Sequence, residues 1–136
     1  MRDSKAQLSV EYIVLTAFLI VVAGLLFGFA LFTFTEKTSL AKADAAVTAM
    51  TNNANWVASL GDGSKVYFEI DVPNGVSLFQ ALNKTVNITI ATSFGDTQSY
   101  NYSGPNLTSV TFTTTPGKRK VSALFEDGNV IFSEIS

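Results

Sequence analysis

The side chains that most often do chemistry are scarce in this chain. It has 136 residues and contains neither histidine nor cysteine. The commonest general base, the commonest metal ligand and the thiolate nucleophile are therefore all missing. The carboxylates Asp62, Glu69, Asp71, Asp96, Asp127 and Glu134 show no metal-loop spacing, and no two of them stand out as a general acid and base. The one basic cluster, Gly117-Lys118-Arg119-Lys120, lacks the upstream glycine of a phosphate loop and reads as a solvated turn. A net charge of −2 offers no basic surface for nucleic acid. These observations point away from an enzyme and imply no cofactor and no metal.

Two kinds of residue remain as candidates. Glu11 is a lone carboxylate at the start of an apolar run. Drawn to the centre of a bilayer it would cost about 2.5–3.5 kcal/mol, so it must find a partner or stay near the interface. Asn83, Asn87, Asn101 and Asn106 each open an N-x-[ST] sequon, all in the second half of the chain. Clustered there, they fit a glycosylated outer coat. Asn87 and Asn101 are also readable as ordinary strand residues.

Residues 12–35 carry no charge. As a helix they span roughly 36 Å, enough to cross a hydrocarbon layer of about 30 Å. Ala23-Gly24 and Gly28-Phe29-Ala30 resemble the small-residue sites of a removable secretory signal. The run is nevertheless longer than the usual apolar core of such signals, and it continues as helix. Arg2 and Lys5 precede the run, whereas Glu36 and Lys37 cancel after it, so the N-terminus is expected in the cytoplasm and the remainder outside. Gly24 and Gly28 form a small-xxx-small pair, readable as a close helix contact, as an incidental pair, or as a bending point.

Beyond the run, Leu40, Ala43, Val47, Met50, Ala54 and Val57 recur in alternating steps of three and four, one apolar stripe of an amphipathic helix. Alanines favour that helix, Asn52, Asn53 and Asn55 weaken its last turns, and Gly61 suits its end. A single helix over about residues 8–60 is predicted. Met50 and Trp56 are expected to pack beneath the following domain.

From residue 64 the period changes to two. Val66, Phe68, Ile70 and Val72 alternate with Lys65, Tyr67, Glu69 and Asp71. Pro73-Asn74-Gly75 reads as a turn. Residues 76–82 fit either a strand or a helical turn, and residues 86–90 alternate again. Gly95-Asp96 and Gly104-Pro105-Asn106 read as turns around a short strand at 98–102. Residues 107–115 are β-branched and read as strand. Asp127-Gly128 joins strands 120–126 and 129–135 as a two-residue hairpin. The fold class expected is α+β: a long apolar helix with about five or six antiparallel strands packed on its C-terminal half. The expected organisation is a short polar segment at 1–6, a transmembrane helix at 7–35, an amphipathic continuation at 36–61, and a β head at 62–136.

Gln7-Leu8-Ser9-Val10-Glu11-Tyr12, preceded by Lys5-Ala6, resembles the class III signal peptide of archaeal type IV pilins, which opens the apolar helix with a Q-x-S-x-E-Y pattern. The resemblance implies that residues 1–6 are a leader, cut off between Ala6 and Gln7 by a prepilin peptidase, and that the mature chain keeps residues 7–35 as a transmembrane and filament-core helix. It implies that Glu11 pairs with the amine of Gln7 on a neighbouring subunit; the plainer alternative is that Glu11 only marks the membrane interface. It further implies a homopolymeric surface filament serving adhesion, assembled from membrane lipid by an ATPase and a platform protein. The alternatives are a minor pilin and a single-span, membrane-anchored surface-binding protein.

Overall fold

The structure, a computed structural model, describes residues 2–135, of which the Arg2 side chain is excluded. The Met1 part of the expected leader thus lies outside the described residues. One helix and five strands follow in the order α1 (Arg2–Leu60), β1 (Lys65–Val72), β2 (Val76–Thr92), β3 (Gly95–Thr111), β4 (Gly117–Glu126) and β5 (Asn129–Ile135). The architecture is α+β. The chain divides into two compact units, Met1–Glu36 and Lys37–Ser136.

Helix α1 begins at Arg2, about six residues before the expected start. Lys5, Ala6, Gln7 and Leu8 are good helix formers, nothing between them and the apolar run breaks the helix, and Asp3 in the first turn favours its positive end. The stop is where glycine chemistry places it. Gly61 takes φ 101°, a left-handed conformation open to glycine, and its N–H donates to the Ala58 carbonyl. The asparagines do not cut the helix short. Asn53 Nδ2 donates to the Ala49 carbonyl at 2.8 Å, and Asn55 is engaged elsewhere.

Within the second unit the helix stripe meets the sheet. Ala43, Val47, Met50, Ala54 and Val57 are fully buried, Ala46 widens the stripe, and Leu40 packs at its margin. The sheet contributes Val66, Ile70, Val72, Val86, Ile88, Val121, Ala123 and Val130. An aromatic chain closes the core: Phe79 and Phe112 ring centres lie 4.6 Å apart, and Phe132 meets Phe112 at 6.1 Å and Phe68 at 6.3 Å. Fully burying a side chain of this size contributes about 1.5–3 kcal/mol.

The strand order is β1-β4-β5-β3-β2. All pairs are antiparallel except β3 with β5, which run parallel over Asn106↔Asn129 and Leu107↔Val130. The sheet is therefore mixed rather than wholly antiparallel. The connection from β3 to β5 passes through β4, and no local sequence signal reports that non-local pairing.

Several local readings change. Residues 76–82 are strand, the first part of β2. This strand folds back on itself: the Ala91 N–H donates to the Gly75 carbonyl at 2.9 Å, and Ser77 Oγ donates to the Thr89 carbonyl. A straight strand of that length would hold these ends roughly 50 Å apart. The bend sits where the β2–β3 register slips, between Ala81 and Thr85, with Asn83 at φ 56°. Gly104-Pro105-Asn106 lies in the matching slip of β3 rather than forming a turn between strands. Proline is tolerated there because the ladder is already interrupted. The β2–β3 turn is Ser93-Phe94, two residues before the expected Gly95-Asp96. Strand β3 ends at Thr111 rather than at 115. The basic cluster at 117–120 is strand, paired with β1 from Val72↔Gly117 to Glu69↔Lys120. The Asp127-Gly128 hairpin forms as read, with both residues at positive φ (51° and 79°), the signature of a type I′ turn.

Candidate assembly surface

The surface with the strongest functional content is the first unit itself. No residue from 3 to 35 is buried, and the large apolar side chains between positions 8 and 34, Val22 apart, are 52–72% exposed. The exposure runs round the whole circumference, so the segment is apolar on every face. It meets the length and composition needed to cross a membrane. Its hydroxyls suit an apolar surrounding. Thr16, Thr33 and Thr35 each donate to the carbonyl four residues earlier, those of Tyr12, Phe29 and Leu31, at 2.8–3.0 Å. A threonine satisfied within its own helix removes most of the penalty that an unpaired hydroxyl meets in hydrocarbon.

Ala6 and Gln7 are both exposed on α1. Glu11 is exposed one turn further on, beside a shallow apolar surface made by Val10, Val14, Leu15 and Phe18. Among the described residues its carboxylate has no partner within the chain. A carboxylate placed so can be satisfied by water, by a headgroup or by a cation on another molecule. Gly24 and Gly28 lie in the open: a methyl group added at either would meet no atom within 4 Å. Their bare backbone leaves room for close approach by another helix, and nothing among the described residues uses it.

The sequons fall into two environments. Asn83 and Asn106 are exposed, at the paired slips of β2 and β3. Asn87 and Asn101 are half-buried. Asn87 Oδ1 is enclosed without a protein partner, as is the neighbouring Thr89 Oγ1. Asn101 Nδ2 donates to Thr51 Oγ1 on α1 at 3.0 Å, and Asn101 Oδ1 accepts from the Tyr102 N–H at 2.8 Å. Its amide is thus part of the contact between helix and sheet.

That contact is a polar seam that the sequence reading overlooked. Ser99 Oγ donates to Asp44 Oδ1 at 3.3 Å, Asn101 to Thr51, and the Gly104 N–H to Asn55 Oδ1 at 2.7 Å. Asp44, Thr51 and Asn55 each follow directly on a buried residue of the apolar stripe, Ala43, Met50 and Ala54. A second, polar stripe at helical spacing was therefore present in the sequence, set beside the apolar one.

Met50 is buried as expected, but Trp56 is not: it is 56% exposed, because Ala54 and Val57 occupy the packed face of that turn. The carboxylates have structural roles. Asp62 Oδ1 accepts from the Asp127 N–H, holding the last hairpin to the end of the helix, and both oxygens of Glu134 accept from Thr113. Asp71 pairs with Lys42 at 3.0 Å and Glu69 with Lys118 at 3.6 Å, both in the open. Exposed pairs of this kind contribute about 0.2–1 kcal/mol.

No family model matches the chain, and neither a curated protein nor a solved structure is similar to it.

Proposed function

We propose that this chain is the structural subunit of a surface filament of the archaeal type IV pilus kind, serving adhesion, and that residues 7–35 are both its membrane anchor and its polymerisation element. The observation that carries the reading is a helical segment apolar on every face and buried nowhere within its own chain, opened by Gln7-Leu8-Ser9-Val10-Glu11-Tyr12. Such a surface has two stable surroundings, lipid and other copies of itself. A filament subunit passes from the first to the second through a repeated, non-closing contact.

In this reading a prepilin peptidase removes residues 1–6 on the cytoplasmic side, and an assembly ATPase and platform protein draw the mature subunit out of the bilayer. Glu11 then takes its cation from the Gln7 amine of a neighbour. If that glutamine cyclises, the Ser9 hydroxyl and nearby backbone are the partners left. The open backbone at Gly24 and Gly28 accommodates a neighbouring helix. Glycans sit on Asn83 and Asn106.

The test is to shear filaments from cells and sequence the N-terminus of the protein recovered. Gln7 as first residue is expected; Met1, or a start beyond Gly28, would sink the reading. Removing one partner of a buried ion pair costs on the order of 3–5 kcal/mol, which is two or more factors of ten in association. Glu11→Ala is therefore expected to abolish sheared filaments while the precursor persists in the membrane. Filaments at normal yield would refute the pairing. A membrane-bound protein that never enters the sheared fraction would instead favour a single-span anchor.

A further inference from the structure

Phe94, at the tip of the β2–β3 hairpin, is 91% exposed, more than any other large apolar side chain described. A turn normally presents a polar or small residue to water. This one presents a phenyl ring, and presents it from a braced loop. Thr92 Oγ1 donates to the Gly95 carbonyl at 2.5 Å and accepts from the Phe94 N–H at 3.4 Å, while Gly95 takes the φ of 118° that closes the turn.

The hydrogen bonds of the polar seam place this tip within its own unit. Asp44 meets Ser99, Thr51 meets Asn101, and Asn55 meets Gly104, so β3 runs in the same direction as the helix. The four residues from Ser99 back to Gly95 carry the hairpin about 13 Å further toward the start of the helical segment. Along the helix the seven residues from Asp44 back to Lys37 rise about 10 Å, so the tip reaches the start of its own unit. Two other contacts agree. The Lys42–Asp71 ion pair and the Gly75–Ala91 hydrogen bond put the β1–β2 turn and the last residues of β2 at the same end. The other end of the unit holds Gly61, the Asp62–Asp127 hydrogen bond and Trp56.

Phe94 therefore lies at the end through which the chain enters the unit, and the charge-free run ends at Thr35, two residues before Lys37. We infer that Phe94 is a lipid contact: the β2–β3 hairpin seats its tip in the headgroup layer of the membrane that holds the helix, giving the folded unit a second point of attachment. Phenyl rings carried by interfacial segments bury at the boundary of headgroups and acyl chains, and Asp96, exposed two residues further on, limits the depth to the tip itself. The inference rests on the membrane-anchored reading above.

The experiment uses the full chain. Trp56 is the only tryptophan, so Phe94→Trp in a Trp56→Phe background leaves one indole at the tip, and the unaltered chain carries one at the far end. Both are reconstituted into phosphatidylcholine vesicles, part of whose acyl chains are brominated near the carbonyl end. The indole at position 94 is expected to emit to the blue of Trp56 and to be quenched several-fold more strongly by the bromines. If the protein resists carbonate extraction but the position-94 indole is quenched no more than Trp56, the inference fails while the anchor stands. A blue shift that needs crowded protein and ignores bromine would assign the ring to a second copy, which also overturns it. If carbonate releases the protein, the anchored reading fails, and the inference with it.

Discussion

At the scale of single residues, chemistry here is mostly satisfied locally, and the exceptions are informative. Asn101 looks from sequence like a modification acceptor, yet its amide ties β3 to α1 through Thr51. A glycan would replace one of the two hydrogens on that nitrogen and put a sugar ring into the half-buried contact between strand and helix. Asn83 and Asn106 carry no such duty and face solvent. Glycopeptide mass spectrometry on protein from its native host is thus expected to find sugar on Asn83 and Asn106 and bare asparagine at 87 and 101. Sugar on folded protein at Asn101 would contradict the seam. The sequons themselves were legible as a pattern of three residues. Which of them are accessible was not, because accessibility depends on a strand's neighbours rather than on the tripeptide.

At the scale of elements, period carried most of the information. The stripe from Leu40 to Val57 was legible because a 3.6-residue repeat of apolar side chains has one stable use, burial against another element. Met50, fully buried in that stripe, makes the consequence measurable. Met50→Ala is expected to destabilise the second unit by about 2–5 kcal/mol. For a domain near 100 residues each kcal/mol moves the melting point by about 4–8 °C. Thermal loss of the strand circular-dichroism signal in detergent-solubilised protein measures it, and an unchanged melting point would remove Met50 from the core. The Asp127-Gly128 hairpin was legible for a different reason, since only a few residue pairs tolerate two successive positive φ angles. Residues 76–82 and the Gly104-Pro105 slip were illegible locally. Each is settled by a segment distant in sequence: the Phe112 N–H donates to the Phe79 carbonyl at 2.8 Å, and the Ser103 hydroxyl of β3 donates to the Lys84 carbonyl of β2 at 3.4 Å.

At the scale of the whole molecule, the two units differ in what water allows them. The second unit has a closed core built from its own helix segment, Ala43 to Val57 in sequence, and its own five strands. The first has none of its residues from 3 to 35 buried. Residues 37–136 produced alone are therefore expected to be a soluble, folded monomer, checked by sedimentation and by circular dichroism. The chain from residue 7 onward is expected to need detergent, lipid or polymer. Aggregation or lack of structure in the shorter chain would mean that the core depends on residues before Lys37.

Composition and order along the chain determined by themselves that this protein has an uncharged helix long enough for a membrane, an amphipathic continuation, and a β-rich remainder without the usual catalytic groups. Those properties are local: they follow from which side chains avoid water and from repeats a few residues long. Only the tertiary structure decided that the sheet is mixed, that β2 turns back upon itself, that Trp56 faces outward, and that Phe94 stands at the end where Lys37 enters. Each of these depends on residues far apart in sequence meeting in space, Asn106 beside Asn129 or Ser99 beside Asp44. The free energy of such meetings comes from shared burial and paired hydrogen bonds, which no short stretch of chain contains.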